Sequence, residues 1–497
     1  MLVKEILLRQ RGNKKTAIKF GKDTVSYHDL LMQAEALASV IQENCTSRSV
    51  AIFIPNSISY AVAYFAAAIV DKIIVPIATT AKSAEIESTM VYCEASVIIT
   101  DTAHMPFVQQ VLTNTKYRTN IISVNTLGVI PVHEQMPSRM AEETVEEAIQ
   151  PEDRTAIMLH TSGTTSHPKR VMLSHRNLQA NIESNIKSLQ LTSEDVSLIQ
   201  LPMIFGYCNT AQFLTHLYLG GTIVIMHSMF APKTFLELVQ QEKISNFTTV
   251  PSMLLLLLHF PGNTHYDISS LRYVCFGGGI MPVGKLQELI EKFATVGFVQ
   301  TYGQTEASPR VACLLPEDAQ RKIGSVGKPI PFVEAKIVDS HGAEVLPGEV
   351  GEIIVRGENV MKGYYKRPEE TAQVLRNGWL YTGDLATYDD EKYMYLVGRK
   401  KNMIISGGMN IYPEEIEEIL LQHPLVKEVC VLKEDHDMLG EVPVAKIVLH
   451  STEEPLVDME TVLKQYCYQH LSRFKVPAQI RVVQELNKTV TGKVRRY

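Results

Sequence analysis

Residues 159–175 read LHTSGTTSHPKRVMLSH, and within them Thr161, Ser162, Gly163, Thr164 and Thr165 set four hydroxyls around one glycine ahead of Pro168, Lys169 and Arg170. Hydroxyls, loop N–H groups and a following lysine suit a triphosphate, because each donates to or neutralises an anionic oxygen. The β-prone run from Thr155 to Leu159 leads into the loop, so it leaves the end of a strand. It is not a Walker A loop. Gly163 is followed five residues on by Pro168, where that motif has its second glycine, and Lys169 precedes Arg170 instead of Ser or Thr. On its own such a run also describes an ordinary polar turn between strands.

Distant segments change that balance. Tyr302-Gly303-Gln304-Thr305-Glu306 follows a β-like stretch, Gly297 to Thr301. Trp379-Leu380-Tyr381-Thr382-Gly383-Asp384 places one acid after a glycine turn, and Gly398-Arg399-Lys400-Lys401 opens a basic turn. Thr491-Gly492-Lys493 lies close to the last residue. In this order and over essentially the whole chain, these segments resemble the adenylate-forming superfamily of acyl- and aryl-CoA synthetases, beetle luciferases and peptide-synthetase adenylation domains.

The resemblance implies a role for each position. Thr161, Ser162, Gly163, Thr164, Thr165 and Lys169 would hold the β- and γ-phosphates of ATP. Glu306 would be the magnesium carboxylate, with Thr164 assisting the metal and Thr305 at the α-phosphate. Gly277, Gly278 and Gly279 resemble an adenine wall, and Gln300, Thr301 and Tyr302 further nucleotide and acyl contacts. Asp384 would accept from two ribose hydroxyls and Arg399 donate to the same sugar. Lys493 resembles the lysine that reaches the substrate carboxylate and the α-phosphate, which makes it the catalytic residue of adenylation. Lys401 matches the hinge, and Gly407, Gly408 and Asn410 the loop admitting a pantetheine arm. Phe205, Gly206 and Tyr207, within Leu201 to Tyr207, match the acyl pocket. That segment has no Asp to pair an amino group and no His-Asn pair, so its neutral wall favours a hydrophobic acid, with Gly206 leaving depth for a chain.

The chain departs from the family pattern beside the phosphate loop. Ser166 and Arg170 stand where glycines are common, and His160 where tyrosine is. Serine and arginine tolerate positive φ poorly, which bears on how the loop closes. Arg170 is expected either to add a phosphate contact or to sit in solvent.

Activating an acid with ATP sets a carboxylate against the α-phosphorus as pyrophosphate leaves. Both partners are anionic, so charge neutralisation and alignment carry the catalysis. The implied acceptor is the thiol of CoA. The alternatives are a carrier-protein phosphopantetheine alone, or a nucleotide-binding sensor that keeps the fold without the reaction.

Composition fits such an enzyme. At 497 residues, 45% hydrophobic and 21% charged, the chain is a globular protein of more than one domain. A formal net charge of −6 gives no footprint for nucleic acid. No signal peptide or membrane span is expected: the most apolar run, Tyr60 to Val70, is too short and stops at Asp71-Lys72. Seven scattered cysteines without a CxxC pair argue for a reducing, cytoplasmic setting.

The elements that position these residues are also legible. Short β-branched runs alternate with helix-length segments over the first three hundred residues, an α/β pattern with largely parallel sheets. From Gly324 onward closely spaced glycines separate short strands, as in a small β-barrel. After Arg399 a helix opening at Pro413, two strands and a helix over Met459 to His470 make a compact α+β unit. The expected organisation is an N-terminal adenylation domain over 1–399, with two α/β subdomains to about residue 310 and then the barrel. A hinge over 400–402 and a mobile lid domain over 403–497 complete it.

Overall fold

The computed structural model describes residues 1–113, 117, 119–125, 128–132, 149–161, 169–262, 265–279, 281–450, 458–488, 494 and 496. Among them the strands form four sheets. The first has eight strands, parallel at its centre, where Ser49–Phe53 lies between Ile73–Pro76 and Ala95–Asp101. One antiparallel edge consists of Thr155–His160, Arg170–Ser174 and the short Gly363–Tyr364, and the other of Asn120–Asn125 with Gly128–Val132. Strands buried on both faces read as continuous apolar runs, as in Ser49–Phe53, where all five residues are buried.

The second sheet has nine strands. Tyr273–Gly277 runs parallel to Gly297–Gly303, which in turn pairs antiparallel with Arg310–Leu314. The helix Ile58–Ile69 packs between elements of both sheets, and every residue from Ile58 to Ala68 is buried. Its apolar length is therefore explained by burial inside the protein. Among the described residues no helix is long and apolar enough to cross a membrane.

The third sheet stands where the barrel was expected. It comprises Val333–Val338, Gly351–Gly357, Leu375–Arg376, Trp379–Tyr388 and Met394–Arg399, all paired antiparallel. These three sheets make up the large N-terminal domain. The small C-terminal domain holds the fourth sheet and the helices Pro413–Leu421 and Met459–His470, over a separate core centred on Ile404, Ile416, Val431, Ile447 and Leu463. Between the two, Lys400–Asn402 forms a single 3-10 turn. The chain is α/β in its large part and α+β in its small one.

One sequence expectation needs correcting here. Gly383 is not in a turn: Trp379–Tyr388 is one unbroken strand, with Gly383 inside it at φ +73°. Its pairing with Gly351–Gly357 slips nearby, between Glu352 and Ile354. A glycine at positive φ inside a strand marks a local kink, and this one re-aims Asp384.

Candidate active site

The end expected to face phosphate is built on the antiparallel edge of the first sheet that carries Thr155–His160 and Arg170–Ser174. His160 pairs with Arg170, and the Thr161 N–H donates to the Lys169 carbonyl at 3.2 Å, so Thr161 and Lys169 are the two feet of the loop. Ser162, Gly163, Thr164, Thr165 and Ser166 lie outside the described residues. The Lys169 ammonium stands 4.5 Å over the ring of Tyr364 and 2.8 Å from the Glu370 carboxylate. Tyr364 arrives on the neighbouring strand, opposite Val171, and its hydroxyl donates to Glu306 Oε1 at 2.9 Å. One tyrosine thus touches both the loop lysine and the acid of the Tyr302–Glu306 segment. Burial and the Glu306 charge push its phenol well above the ordinary range, so it stays a donor.

Glu370 sits in the first turn of the helix Pro368–Val374, and the hydrogen bond from Lys169 holds its carboxyl below the usual value. Sequence reading missed Tyr364 and Glu370. The signal was present in Gly363-Tyr364-Tyr365-Lys366-Arg367-Pro368-Glu369-Glu370, where proline followed by acids marks a helix start.

Arg170 does neither of the things expected of it. It belongs to the strand, not the loop, is 5% exposed, and donates to Thr89 Oγ1 at 2.7 Å and towards the Pro76 carbonyl at 3.5 Å. Strand alternation explains this: extended backbone turns its side chain inward, away from the phosphate site and from solvent. Beside it, burial and the Arg170 charge depress the His160 imidazole to about 4, so that ring is neutral at pH 7.

The end expected to face the sugar is held by strand pairing. Asp384 lies opposite Arg399 across two adjacent strands. Its Oδ1 meets Arg399 Nε at 2.7 Å, and its Oδ2 accepts from the Tyr302 hydroxyl at 2.8 Å. Asp384 and Tyr302 are buried, whereas Arg399 stays half-exposed at the mouth. Arg399 feels the charges of both Asp384 and Glu306, which ties the two ends into one groove.

Beside this groove Gly277 pairs with Thr301, and a Cβ on Gly277 would come within 2.5 Å of the Thr301 carbonyl, so only glycine fits there. Gly278 and Gly279 continue as an exposed ledge. Gln300, one residue before Thr301, has a buried Oε1 with no hydrogen-bond partner. The Tyr207 hydroxyl shares a 2.7 Å hydrogen bond with Thr301 Oγ1, which donates to the Phe276 carbonyl at 3.0 Å.

The acyl segment differs from expectation at Gly206. Gly206 leaves no depth: a Cβ there would meet Leu159 Cδ1 at 3.3 Å, with Thr305 and Pro309 behind it. The tightest of these contacts is with Leu159, so the glycine lets its helix start lie close to that side chain. The segment Leu201 to Tyr207 itself carries no charge, and buried Arg310 stands near Tyr207 from outside it. Phe205 is half-buried at the start of that helix.

The small domain presents Gly407 and Gly408 at the tip of the hairpin Ile404–Ser406 to Met409–Ile411, at φ +56° and +82°. Positive φ at both central residues is the two-residue turn whose twist matches a hairpin. Asn410 is exposed beside the tip. Among the described residues no hydrogen bond or ion pair joins this hairpin to Lys169 or Glu306. Lys401 is exposed in the linking turn, while buried Asn402 donates to Glu414 at 3.0 Å. Lys493 and the preceding Thr491-Gly492 lie outside the described residues. Arg496, three residues beyond, is fastened to the small domain through Glu417 at 2.7 Å and the Val431 carbonyl at 2.7 Å. Burial pushes the Glu417 carboxyl up to about 7.

Comparison with known proteins agrees with this geometry. Residues 8–365 match the AMP-binding enzyme family and residues 415–493 the AMP-binding enzyme C-terminal domain. The chain is 32% identical to a long-chain-fatty-acid–CoA ligase of Bacillus subtilis, over 97% of this chain and 90% of that protein. It is 33% identical to an indoleacetate–CoA ligase of Aromatoleum aromaticum, over 97% and 94%. Among solved structures, o-succinylbenzoate coenzyme A synthetase from Bacillus subtilis, in complex with ATP and magnesium ion, superposes with a TM-score of 0.85. That match has 29% identity and covers 99% of this chain and 98% of that one.

Proposed function

The chain belongs to the AMP-binding enzyme family, and from that premise we propose an AMP-forming acid–thiol ligase of the acyl-CoA synthetase type. It activates a carboxylic acid to acyl-AMP with release of pyrophosphate, then transfers the acyl group to the thiol of CoA. The observation that carries the residue assignments is Tyr364, which holds the loop lysine and Glu306 together at one end of a groove. The Asp384–Arg399 pair marks the other end.

In this reading Thr161, Ser162, Gly163, Thr164, Thr165 and Lys169 bind the β- and γ-phosphates, and Lys169 exchanges Glu370 for phosphate oxygens. Asp384 accepts from the ribose hydroxyls. Each of its oxygens takes one donor within the protein and keeps a lone pair for another. Gly278 and Gly279 let the adenine ring approach the backbone, and the unpartnered Gln300 Oε1 suits its amino group. Tyr302 fixes Asp384.

The donor set fits a hard cation. Among the described residues no three His, Cys, Asp or Glu side chains cluster as metal ligands, and Mg²⁺ is commonly held by one or two carboxylates plus substrate phosphates. Glu306, with Thr164, would hold magnesium, which when bound neutralises phosphate charge. The substrate carboxylate then attacks the α-phosphorus, with Thr305 beside the α-phosphate and Lys493 donating to both reacting groups. Tyr364 orients Glu306 throughout. Phe205 and Tyr207 face the acid, which has an apolar body. For the second step the small domain turns about Lys401, withdrawing Lys493 and bringing Gly407, Gly408 and Asn410 to the thiol. Fatty and aryl acids are the substrate classes of the relatives. A cytoplasmic setting agrees with seven buried, unbridged cysteines.

Acid-dependent pyrophosphate exchange over a panel of acids tests the first step, and addition of CoA alone, then of a carrier protein, tests the acceptor. Lys493→Ala is expected to cut exchange by about 10²–10³-fold, on the scale of a lost transition-state donor, yet still convert supplied acyl-AMP to thioester. ATP binding without exchange for any acid would reduce the protein to a nucleotide sensor.

A further inference from the structure

Arg496 is drawn into the small domain, with 17% of its side chain exposed. Its Nη2 meets Glu417 Oε2 at 2.7 Å and Glu414 Oε1 at 3.2 Å, and its Nη1 donates to the Val431 carbonyl at 2.7 Å. Glu414 and Glu417 stand three residues apart on the helix Pro413–Leu421, so they are neighbours on one face of it. The Val431 N–H donates to Glu417 Oε1 at 2.7 Å, so one strand residue holds both the arginine and its buried acid. Taking such ions out of water costs about what their attraction returns, and an apolar set of the same shape often holds a fold as well. What a satisfied buried cluster adds is a single geometry.

That geometry joins two places. Val494, the residue after Lys493, pairs antiparallel with Lys488 and packs beside Cys430, Val448 and Leu486. Lys488 is tied in turn to Glu428 at 2.7 Å. The strand Val426–His436 therefore fastens this segment twice, at Glu428 through Lys488 and at Val431 through Arg496. The other end of the cluster reaches the hinge. Glu414 Oε1, which accepts from Arg496, also accepts from Asn402 of the linking turn at 3.0 Å. A Cβ on Gly398 would come within 2.5 Å of Glu414 Oε2, so the same carboxylate rests against the last strand of the large domain. Its charge acts on Arg399.

We propose that Arg496 is a positioning residue for the adenylation step. It fixes the segment carrying Lys493 to the helix that begins beside the hinge, so the lysine enters and leaves the groove with the small domain as one body. The assignment rests on the ligase reading, in which Lys493 serves that step alone. Arginine suits the task because its planar fork reaches the two acids and the carbonyl at once, where a lysine ammonium is a single point on a flexible stem.

Acid-dependent pyrophosphate exchange and thioester formation from supplied acyl-AMP, both on the full chain, read the proposal. Arg496→Met should lower kcat for exchange by about 10–100-fold, the scale of a displaced reacting group. The KM for ATP and the rate of transfer from acyl-AMP should each stay within about 2-fold, because neither depends on where Lys493 lies. Arg496→Lys should recover part of the loss. In a Lys493→Ala background Arg496→Met should change exchange by less than about 2-fold, since one interaction can be lost only once. General weakening of the small domain would instead multiply the two losses and slow transfer as well. If Arg496→Met does not fold, Arg496→Lys, alone and combined with Lys493→Ala, still decides. No exchange by the unaltered protein with any acid would sink the ligase reading and this assignment together. Normal exchange in Arg496→Met, equal loss in both half-reactions, or a full further loss in the Lys493→Ala background would overturn the assignment and leave the ligase reading standing.

Discussion

The two ends of the proposed nucleotide groove are built by different means. At the sugar end Asp384 is buried, paired to Arg399 by strand register, and capped by Tyr302. At the proposed phosphate end Lys169 has, among the described residues, one exchangeable ion-pair partner, Glu370, and leans on the ring of Tyr364. The first site is finished before substrate arrives, since its groups come from strands locked by backbone hydrogen bonds. The second is provisional, as suits groups proposed to release pyrophosphate. Fixed charges in a preorganised site cost nothing to reorganise at the moment of reaction, whereas a half-exposed ion pair is worth about 0–1 kcal/mol and is readily traded.

That contrast should appear in how mutations divide between folding and turnover. Asp384→Ala should have the largest effect and strike both, because Tyr302 and Arg399 are left without their acceptor in a buried site. Stability should fall by about 2–4 kcal/mol, and exchange by more than about 10²-fold, read by denaturant melts and acid-dependent exchange. If stability stays within 0.5 kcal/mol by rough count, the sugar end is not the rigid one. Glu306→Gln comes next, with turnover down by about 10²-fold or more and the melt nearly unchanged. A magnesium titration showing normal rates would move the metal to another carboxylate.

Tyr364→Phe keeps the ring beneath Lys169 and deletes one hydrogen bond to Glu306. About 10-fold in kcat and about 1 kcal/mol of stability should go, with a raised requirement for magnesium. Equal loss of CoA transfer from supplied acyl-AMP would show that Tyr364 serves more than the first step. Smallest is Glu370→Gln, which frees Lys169. The KM for ATP should drop by no more than about 5-fold, the surface-pair scale, and the gain should shrink as salt is added. A rise in KM would make Glu370 part of the working site.

Much of this was legible in the amino-acid order. Alternating apolar runs and helix-length segments specified the layered α/β part, because side-chain periods of two and 3.6 are properties of the local backbone. The helix Met459–His470 matches its expected span, and the strand expected over Gly297 to Thr301 runs on to Gly303 and so carries Tyr302. The residue types that can hold phosphate, ribose and metal are also a matter of sequence, since their chemistry travels with them.

What only the tertiary structure decided is which of those groups meet. Tyr364 and Glu306 are separated by 58 positions, and Tyr302 and Asp384 by 82, so no local rule joins them. The inward turn of Arg170, the packed Cβ direction of Gly206 and the full burial of Arg310 likewise depend on neighbours brought from elsewhere in the chain. Burial and pairing are properties of packing, and for charged side chains packing decides whether a residue is scaffold, surface or binding site.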